Sequence, residues 1–278
     1  MLSSLQNPLV KDVRKLAQRK GRRAQQLFII EGTHQVEAAC RVGYPLQTVC
    51  ATVQWQAEHV ELWQSLSHSK AEMVLVTPAV LQSMATTVNP DGVVATGVHR
   101  DSMLDHLDQS IPQTSRRPSL GLAVETLQDP GNLGTLIRTA AAAAADGLWI
   151  SQDSVDLEHP KVLRASAGQW FQLPMQVCPN LVEQGYQWQQ AGIQLVATTL
   201  AASLSYWQLD LRSPTVILLG NEGAGLSPEL TTLATHRVKI PMAAAVESLN
   251  VSIAAALILY EAQRQRGFQA AEISATLR

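Results

Sequence analysis

The chain has 278 residues, 46% of them apolar and only 16% charged, with a net charge of −2. That length favours two domains, each able to bury its own core, and the composition excludes a disordered chain. The longest apolar runs, 140–145 and 254–260, fall far short of the ~20 residues that span a bilayer, and no signal peptide is read at the N-terminus.

The first 25 residues carry Lys11, Arg14, Lys15, Arg19, Lys20, Arg22 and Arg23 against Asp12 alone, a local +6 beside −8 for the rest. Such asymmetry is either a polyanion footprint or a solvated helical face. Residues 7–26 have apolar positions at Leu9, Val13, Leu16 and Ala17, near helical spacing. A strand is expected at 27–30, then a helix capped by Thr33 and ended by Gly43. Strands are expected at 46–52, 73–77 and 93–98, with a helix opened by Pro78 and running to Met84. These make a small αβ sandwich over residues 1–98. Residues 99–119 lose periodicity and read as a linker.

From residue 120 the alternation strengthens. Strands are expected at 120–125, 148–151, 173–177, 193–199, 215–220 and 237–240. Helices are expected at 132–146, ended by Gly147, and at 160–167, 181–190, 228–234 and 249–266. The run 140–145 reads as small-residue packing. Strands alternating with helices imply a mostly parallel sheet covered on both faces. Ligands then bind beyond the carboxyl ends of the strands, in the loops after Glu125, Thr199, Gly220 and Ile240. Cys40, Cys50 and Cys178 are odd in number and scattered. They suggest a reducing, cytoplasmic compartment, no disulfide framework and no zinc site.

Three segments carry chemistry. Asp129-Pro130-Gly131-Asn132-Leu133-Gly134 follows a strand and opens a helix, a place for backbone N–H groups to meet an anion. Arg138 lies about one turn beyond Gly134, within reach of a phosphate. A plain helix cap with a surface Arg is the alternative. Gly220-Asn221-Glu222-Gly223-Ala224-Gly225 follows a buried strand, and its glycine spacing is neither the dinucleotide fingerprint nor a P-loop. Backbone approaches something closely there, or the loop is only a glycine-rich turn. Finally, Ile240-Pro241-Met242 leads to Glu247-Ser248-Leu249-Asn250-Val251-Ser252, where three polar side chains beside an apolar helix are more than capping requires, with Ser248 and Asn250 as ordinary caps the alternative.

These three segments resemble, in order and spacing, the signature motifs of the SpoU (TrmH-like) branch of the SPOUT RNA methyltransferases. Residues 161–168 match a further segment common in that family. Asn7-Pro8 before the basic helix and Phe28-Ile29-Ile30-Glu31-Gly32 resemble the substrate-binding domain often fused ahead of it, whose fold is like ribosomal protein L30e. The resemblance implies an α/β architecture: an L30e-like domain over 1–98, a linker over 99–119, and a catalytic domain with a deep C-terminal trefoil knot over 120–278. It implies S-adenosylmethionine held largely by backbone at Gly220, Ile240 and Leu249, with Thr198 lining the adenosine. It implies a homodimer with the active site where subunits meet. One departure is Ala244, where the family usually has Gly.

The reaction implied is methylation of a ribose 2′-OH, with ribosomal RNA, 23S rRNA in particular, the first choice of substrate. Transfer RNA, base methylation, and a non-catalytic RNA-binding role are the alternatives. Arg138 is the family's candidate for deprotonating the hydroxyl, or for binding the flanking phosphate. Asn132 and Asn250 suit RNA contact or positioning of Arg138. Glu222 suits orienting it or holding its own loop, and Ser248 suits holding the third-motif turn. Lys11, Arg14, Arg19, Lys20, Arg22 and Arg23 are the candidate RNA contacts. No metal is required, and the seven dispersed histidines read as structural or surface.

Overall fold

The computed structural model describes residues 1–100, 114, 115 and 117–267. Most of the expected linker, 101–113 and 116, lies outside these. The chain divides into two compact units. One holds Met1–Pro112, Asp129–Arg138 and Val155–Leu173; the other holds Gln113–Gln128, Thr139–Ser154 and Pro174–Arg278. No helix among the described residues is long and apolar enough to cross a membrane.

The first unit begins with α1 (Pro8–Lys15) and α2 (Arg19–Gln25), where the sequence suggested one helix. The break has a steric and a polar cause. Leu16 is fully buried beside Val10 and Val13 in the core. The chain folds back so tightly that a Cβ on Gly21 would stand 2.0 Å from the Lys15 carbonyl oxygen. Arg22 then turns inward and donates to the carbonyls of Leu16 and Ala17 at 2.9 and 3.2 Å.

Next come β1 (Leu27–Glu31), α3 (Thr33–Arg41), β2 (Leu46–Ala51), α4 (Val53–Glu58), α5 (Val60–Ser67), β3 (Glu72–Leu75), α6 (Pro78–Met84) and β4 (Val93–Val98). The sheet order is β1-β4-β2-β3, with β4 antiparallel to both neighbours and β3 parallel to β2. Thr33 is not the cap of α3. Gly32 holds that position at φ 93°, and the Asp91 carboxylate accepts the Thr33 N–H at 2.8 Å. The Thr33 hydroxyl instead accepts from Trp55 Nε1 at 2.7 Å. The sequence reading missed α4 and α5, two short helices separated at His59, the first capped by the Thr52 hydroxyl.

Two segments from later in the chain complete this unit. They carry the start of α7 (Pro130–Ala142), then α8 (Pro160–Ala165) and a 3₁₀ turn at Gln169–Phe171. Trp170 meets Phe28 at 5.1 Å between ring centroids, and Phe171 meets Tyr44 at 5.3 Å. Arg22 pairs with Asp156 at 2.6 Å, and His99 with Glu158 at 2.9 Å. Burial pushes the Glu158 carboxyl above its ordinary range.

The second unit is a seven-stranded parallel sheet. Its strands are β5 (Leu120–Val124), β6 (Gly147–Ser151), β7 (Met175–Cys178), β8 (Gln194–Thr198), β9 (Leu204–Ser205), β10 (Thr215–Leu219) and β11 (His236–Lys239), in the order β7-β6-β5-β10-β8-β11-β9. Every pairing is parallel, and β5, β6 and β10 are buried along their whole length. The helices are α9 (Leu181–Gln190), α10 (Pro228–Leu233) and α11 (Val251–Gln265). Sequence order reverses direction between β5 and β10, the kind of crevice where open parallel sheets bind ligands.

α7 ends at Ala142 rather than Asp146. Ala144 takes φ 48°, and Gly147 does not end the helix but begins β6, where a Cβ would stand 3.0 Å from the Trp149 ring. Ala140 and Ala143 are fully buried, as small-residue packing requires. Burial pushes the Cys50 thiol up to about 12 and the Cys178 thiol up to about 11, which leaves both inert.

Candidate active site

A cavity of about 420 Å³ opens at the carboxyl ends of β8 and β10, against the first turn of α11. One wall is the loop after β10. Gly220 allows this loop to close on itself: a Cβ there would stand 2.0 Å from the Gly225 carbonyl carbon. Asn221 and Gly225 then exchange backbone hydrogen bonds at 3.0 and 2.9 Å. The Asn221 carboxamide oxygen accepts from the N–H groups of Gly223 and Ala224, and its nitrogen donates to the Thr126 carbonyl at 2.8 Å. Glu125 fastens the far end by accepting the Ser227 N–H at 2.7 Å. Neither Asn221 nor Glu125 is among the site residues expected from the sequence. An Asn between two loop glycines was the available signal for the first.

Thr198, Gly220 and Leu249 line the cavity, and so do Glu222 and Ser248. Ile240, expected among the cofactor contacts, follows β11 but is not part of the lining. Asn250 is the N-cap of α11 and accepts from Ser252 N–H at 2.9 Å. Ala244 takes no left-handed backbone, so the third-motif loop accommodates its Cβ without strain. The cavity is large enough for a nucleoside-sized ligand, with a glycine-rich backbone wall and apolar Leu219, Leu249 and Val251. Those features suit a purine and its ribose, with few charged groups to desolvate.

Asn132 and Arg138 stand on the first half of α7, within the first unit. Arg138 is exposed. The expectation of an open anion site at this helix start is corrected. Asp129 caps α7, its Oδ1 accepting the N–H groups of Gly131 and Asn132, with Lys161 at 3.6 Å from Oδ2. Gly134 serves packing. A Cβ would stand 2.5 Å from Ala165 Cβ and 2.6 Å from the Val162 carbonyl oxygen, so α7 and α8 can touch only there without one.

Among the basic candidates, Lys11, Arg14, Lys20 and Arg23 are exposed. Arg19 is half-exposed, 3.9 Å from Asp156. Arg22 is withdrawn from the RNA-facing set. Only 1% of it is exposed, and its guanidinium is spent on Asp156 and two carbonyls. Burial alone would raise the Asp156 pKa, but Arg22 holds it below the usual carboxylate range.

The pattern of the SpoU rRNA Methylase family matches residues 100–260, and that of the MRM3-like substrate binding domain matches residues 7–95. The chain belongs to the SpoU methylase family. It is 45% identical to an uncharacterised tRNA/rRNA methyltransferase of Synechocystis over 95% of this chain and 94% of that one. It is 33% identical to a 23S rRNA (uridine-2′-O)-methyltransferase of Streptomyces viridochromogenes over 86% of this chain and 83% of that one. Among solved structures, it superposes on an AdoMet-bound rRNA methyltransferase of Sinorhizobium meliloti with a TM-score of 0.81 and 34% identity, covering 95% and 97% of the two chains. The SpoU methyltransferase AviRb of Streptomyces viridochromogenes, in complex with AdoMet, gives a TM-score of 0.81 at 30% identity, covering 95% and 100%. The α/β fold with its parallel sheet is thus the SpoU fold, and the three segments from Asp129 to Ser252 fall inside the SpoU match.

Proposed function

We propose that this protein methylates the ribose 2′-OH of a nucleotide in 23S ribosomal RNA, using S-adenosylmethionine. The observation that carries the reading is the cavity at the β8 and β10 ends, walled by the self-closed Gly220–Gly225 loop and by Ser248 and Leu249. Relatives at similar identity are named 23S rRNA 2′-O-methyltransferases, and two structural neighbours hold AdoMet.

Bound S-adenosylmethionine supplies a methyl group already activated on a sulfonium. The chain has to supply a cradle, an aligned acceptor and relief of the acceptor proton. Gly220, Leu249 and Thr198 form the cradle. Arg138 acts on the acceptor hydroxyl or its flanking phosphate, with the planar fork suited to the second task. Asn132 and Asn250 position RNA or Arg138, Glu222 orients, and Ser248 holds the turn before α11. Lys11, Arg14, Arg19, Lys20 and Arg23 meet RNA phosphates. A second copy of the chain covers α11, where Ile253, Leu257 and Tyr260 recur at helical spacing and remain exposed.

The test is single-turnover methyl transfer from labelled cofactor to ribosomal and transfer RNA, followed by nucleoside analysis. 2′-O-methylation of ribosomal RNA is expected, and a methylated base or a transfer RNA product would overturn that substrate assignment. Arg138→Ala should slow the step by at least ~10²-fold with cofactor affinity retained, and Arg138→Lys should recover little. A wild-type rate in Arg138→Ala removes it from the mechanism. Neutralising Arg19, Lys20 and Arg23 together should flatten the salt dependence of RNA binding by roughly two log–log units. An unchanged slope excludes this arm.

A further inference from the structure

Thr126 follows β5 at φ 53°, a left-handed conformation rare for a β-branched residue. Such a conformation persists only where its surroundings over-determine it. Here they do. The Thr126 N–H donates to Ser151 Oγ at 2.7 Å, and its hydroxyl donates to Asp153 Oδ2 at 2.6 Å. Ser151 donates to the other Asp153 oxygen at 2.5 Å, and Ser154 Oγ accepts the N–H of Leu127 at 3.0 Å. The hydroxyls of Ser151 and then Thr126 hold the Asp153 carboxyl below its usual range, so it is an ionised acceptor at neutral pH. The end of β6 and the loop beyond it therefore grip two consecutive residues beyond β5.

What that grip presents is one carbonyl. The Thr126 oxygen accepts from Asn221 Nδ2 at 2.8 Å. The other end of the same carboxamide organises Gly223 and Ala224, which line the cavity. Thr126, Ser151 and Asp153 do not line it themselves. Any effect they have on a ligand there is indirect, and the Thr126–Asn221 hydrogen bond is the side-chain link from Thr126 to that lining.

We propose that Thr126 is a positioning residue for the cofactor: Ser151 and Asp153 fix its strained backbone, and its carbonyl sets the Asn221 loop that walls the cavity. This rests on the S-adenosylmethionine reading above. Without the Thr126 hydroxyl, the backbone relaxes from its left-handed state and the Asn221 amide loses its acceptor. The loop then samples open forms, and the cofactor bears the cost of closing it.

The experiment is calorimetric titration with S-adenosylmethionine, together with steady-state kinetics on the RNA substrate. Thr126→Val keeps the shape and removes the hydroxyl. Asp153→Ala removes its acceptor, and Thr126→Ser keeps the hydroxyl. Thr126→Val and Asp153→Ala should each bind cofactor about tenfold more weakly, the loss expected for a hydrogen bond to a charged group. The cofactor KM should rise in step, with kcat at saturation within about twofold of wild type. Thr126→Ser should restore both values. Wild-type affinity in Thr126→Val and Asp153→Ala, or an equal loss in Thr126→Ser, overturns the proposal. So does a fall in kcat with KM unchanged. If Thr126→Val lacks a cooperative melting transition, Asp153→Asn carries the same comparison. Wild-type protein that takes up no S-adenosylmethionine overturns the cofactor reading itself, which this control separates from failure of the Thr126 link to Asn221.

Discussion

Two glycine-bearing loops follow strands of the same parallel sheet, and the sequence leaves each open between a ligand contact and an ordinary cap or turn. Their structures differ. At Asp129–Gly134 the helix start is closed by the chain's own carboxylate, and Gly134 is small because α8 lies against it. At Gly220–Gly225 the loop closes on itself and leaves a cavity beside it. Spacing shows that a side chain is forbidden at a position. It does not show whether a helix, the loop's own backbone or a ligand forbids it.

The largest effect that separates the two loops is expected at Gly220. Gly220→Ala puts a Cβ 2.0 Å from the Gly225 carbonyl carbon and 2.1 Å from the Leu226 nitrogen, both backbone atoms that cannot swing aside. The loop must reopen, at an overpacking cost that weakens cofactor binding by about ten- to a hundredfold. Gly225→Ala sharpens the point. Nothing lies within 4 Å of its Cβ, but its φ is +73°. It should lose less, about the 1 kcal/mol that a left-handed backbone costs an L-residue. Titration of both variants with S-adenosylmethionine checks the order. Equal affinities for the two would mean that closure of the loop is not what shapes the cavity.

The parallel sheet was legible because β5, β6 and β10 are apolar runs bounded by turn residues, as doubly covered strands must be. The place of the cavity was legible from motif order, and Thr198, Gly220 and Leu249, three of the four residues expected to hold the cofactor, line it. What was not legible depends on partners distant in sequence. Nothing near Arg22 shows that Asp156, 134 residues away, takes its guanidinium. Nothing near Thr33 shows that Asp91 caps its helix. Local charge and local caps are visible in a sequence, whereas the satisfaction of a buried donor by a remote acceptor is a property of the fold.

Gly134→Ala tests the packing role assigned to the first loop. Its Cβ meets Ala165 Cβ and the Val162 carbonyl, so α7 and α8 must part by a few tenths of an ångström or more. Overpacking of this kind costs about 1–3 kcal/mol of stability. The urea midpoint should fall with an unchanged slope, while S-adenosylmethionine affinity stays at the wild-type value. A stable Gly134→Ala protein that loses affinity instead would return this glycine to the ligand.

The smallest effect concerns Asp129, and it decides whether α7 is capped from within. The Asn132 N–H, opposed by slight burial and helped by the Gly131 N–H and Lys161, holds the Asp129 carboxyl below its usual range. A depressed carboxyl contributes stability that is present above the unfolded pKa, about 3.9, and is lost as pH falls through the lower folded value. Asp129→Ala removes the cap at a cost of about 1 kcal/mol at pH 7. That gap should hold down to about pH 5 and shrink below about pH 4, as the wild-type carboxylate takes up a proton. Asp129→Asn keeps an oxygen acceptor, so it should lose only a few tenths of a kcal/mol, with solvent screening the charge of a half-exposed group. Urea midpoints of the three proteins at pH 7, 5 and 3.5 read the series. A gap between wild type and Asp129→Ala that persists undiminished at the lowest pH would show that the carboxylate is not what closes the helix. The N-terminus of α7 would then be open to an anion after all, and the contrast between the two loops would collapse.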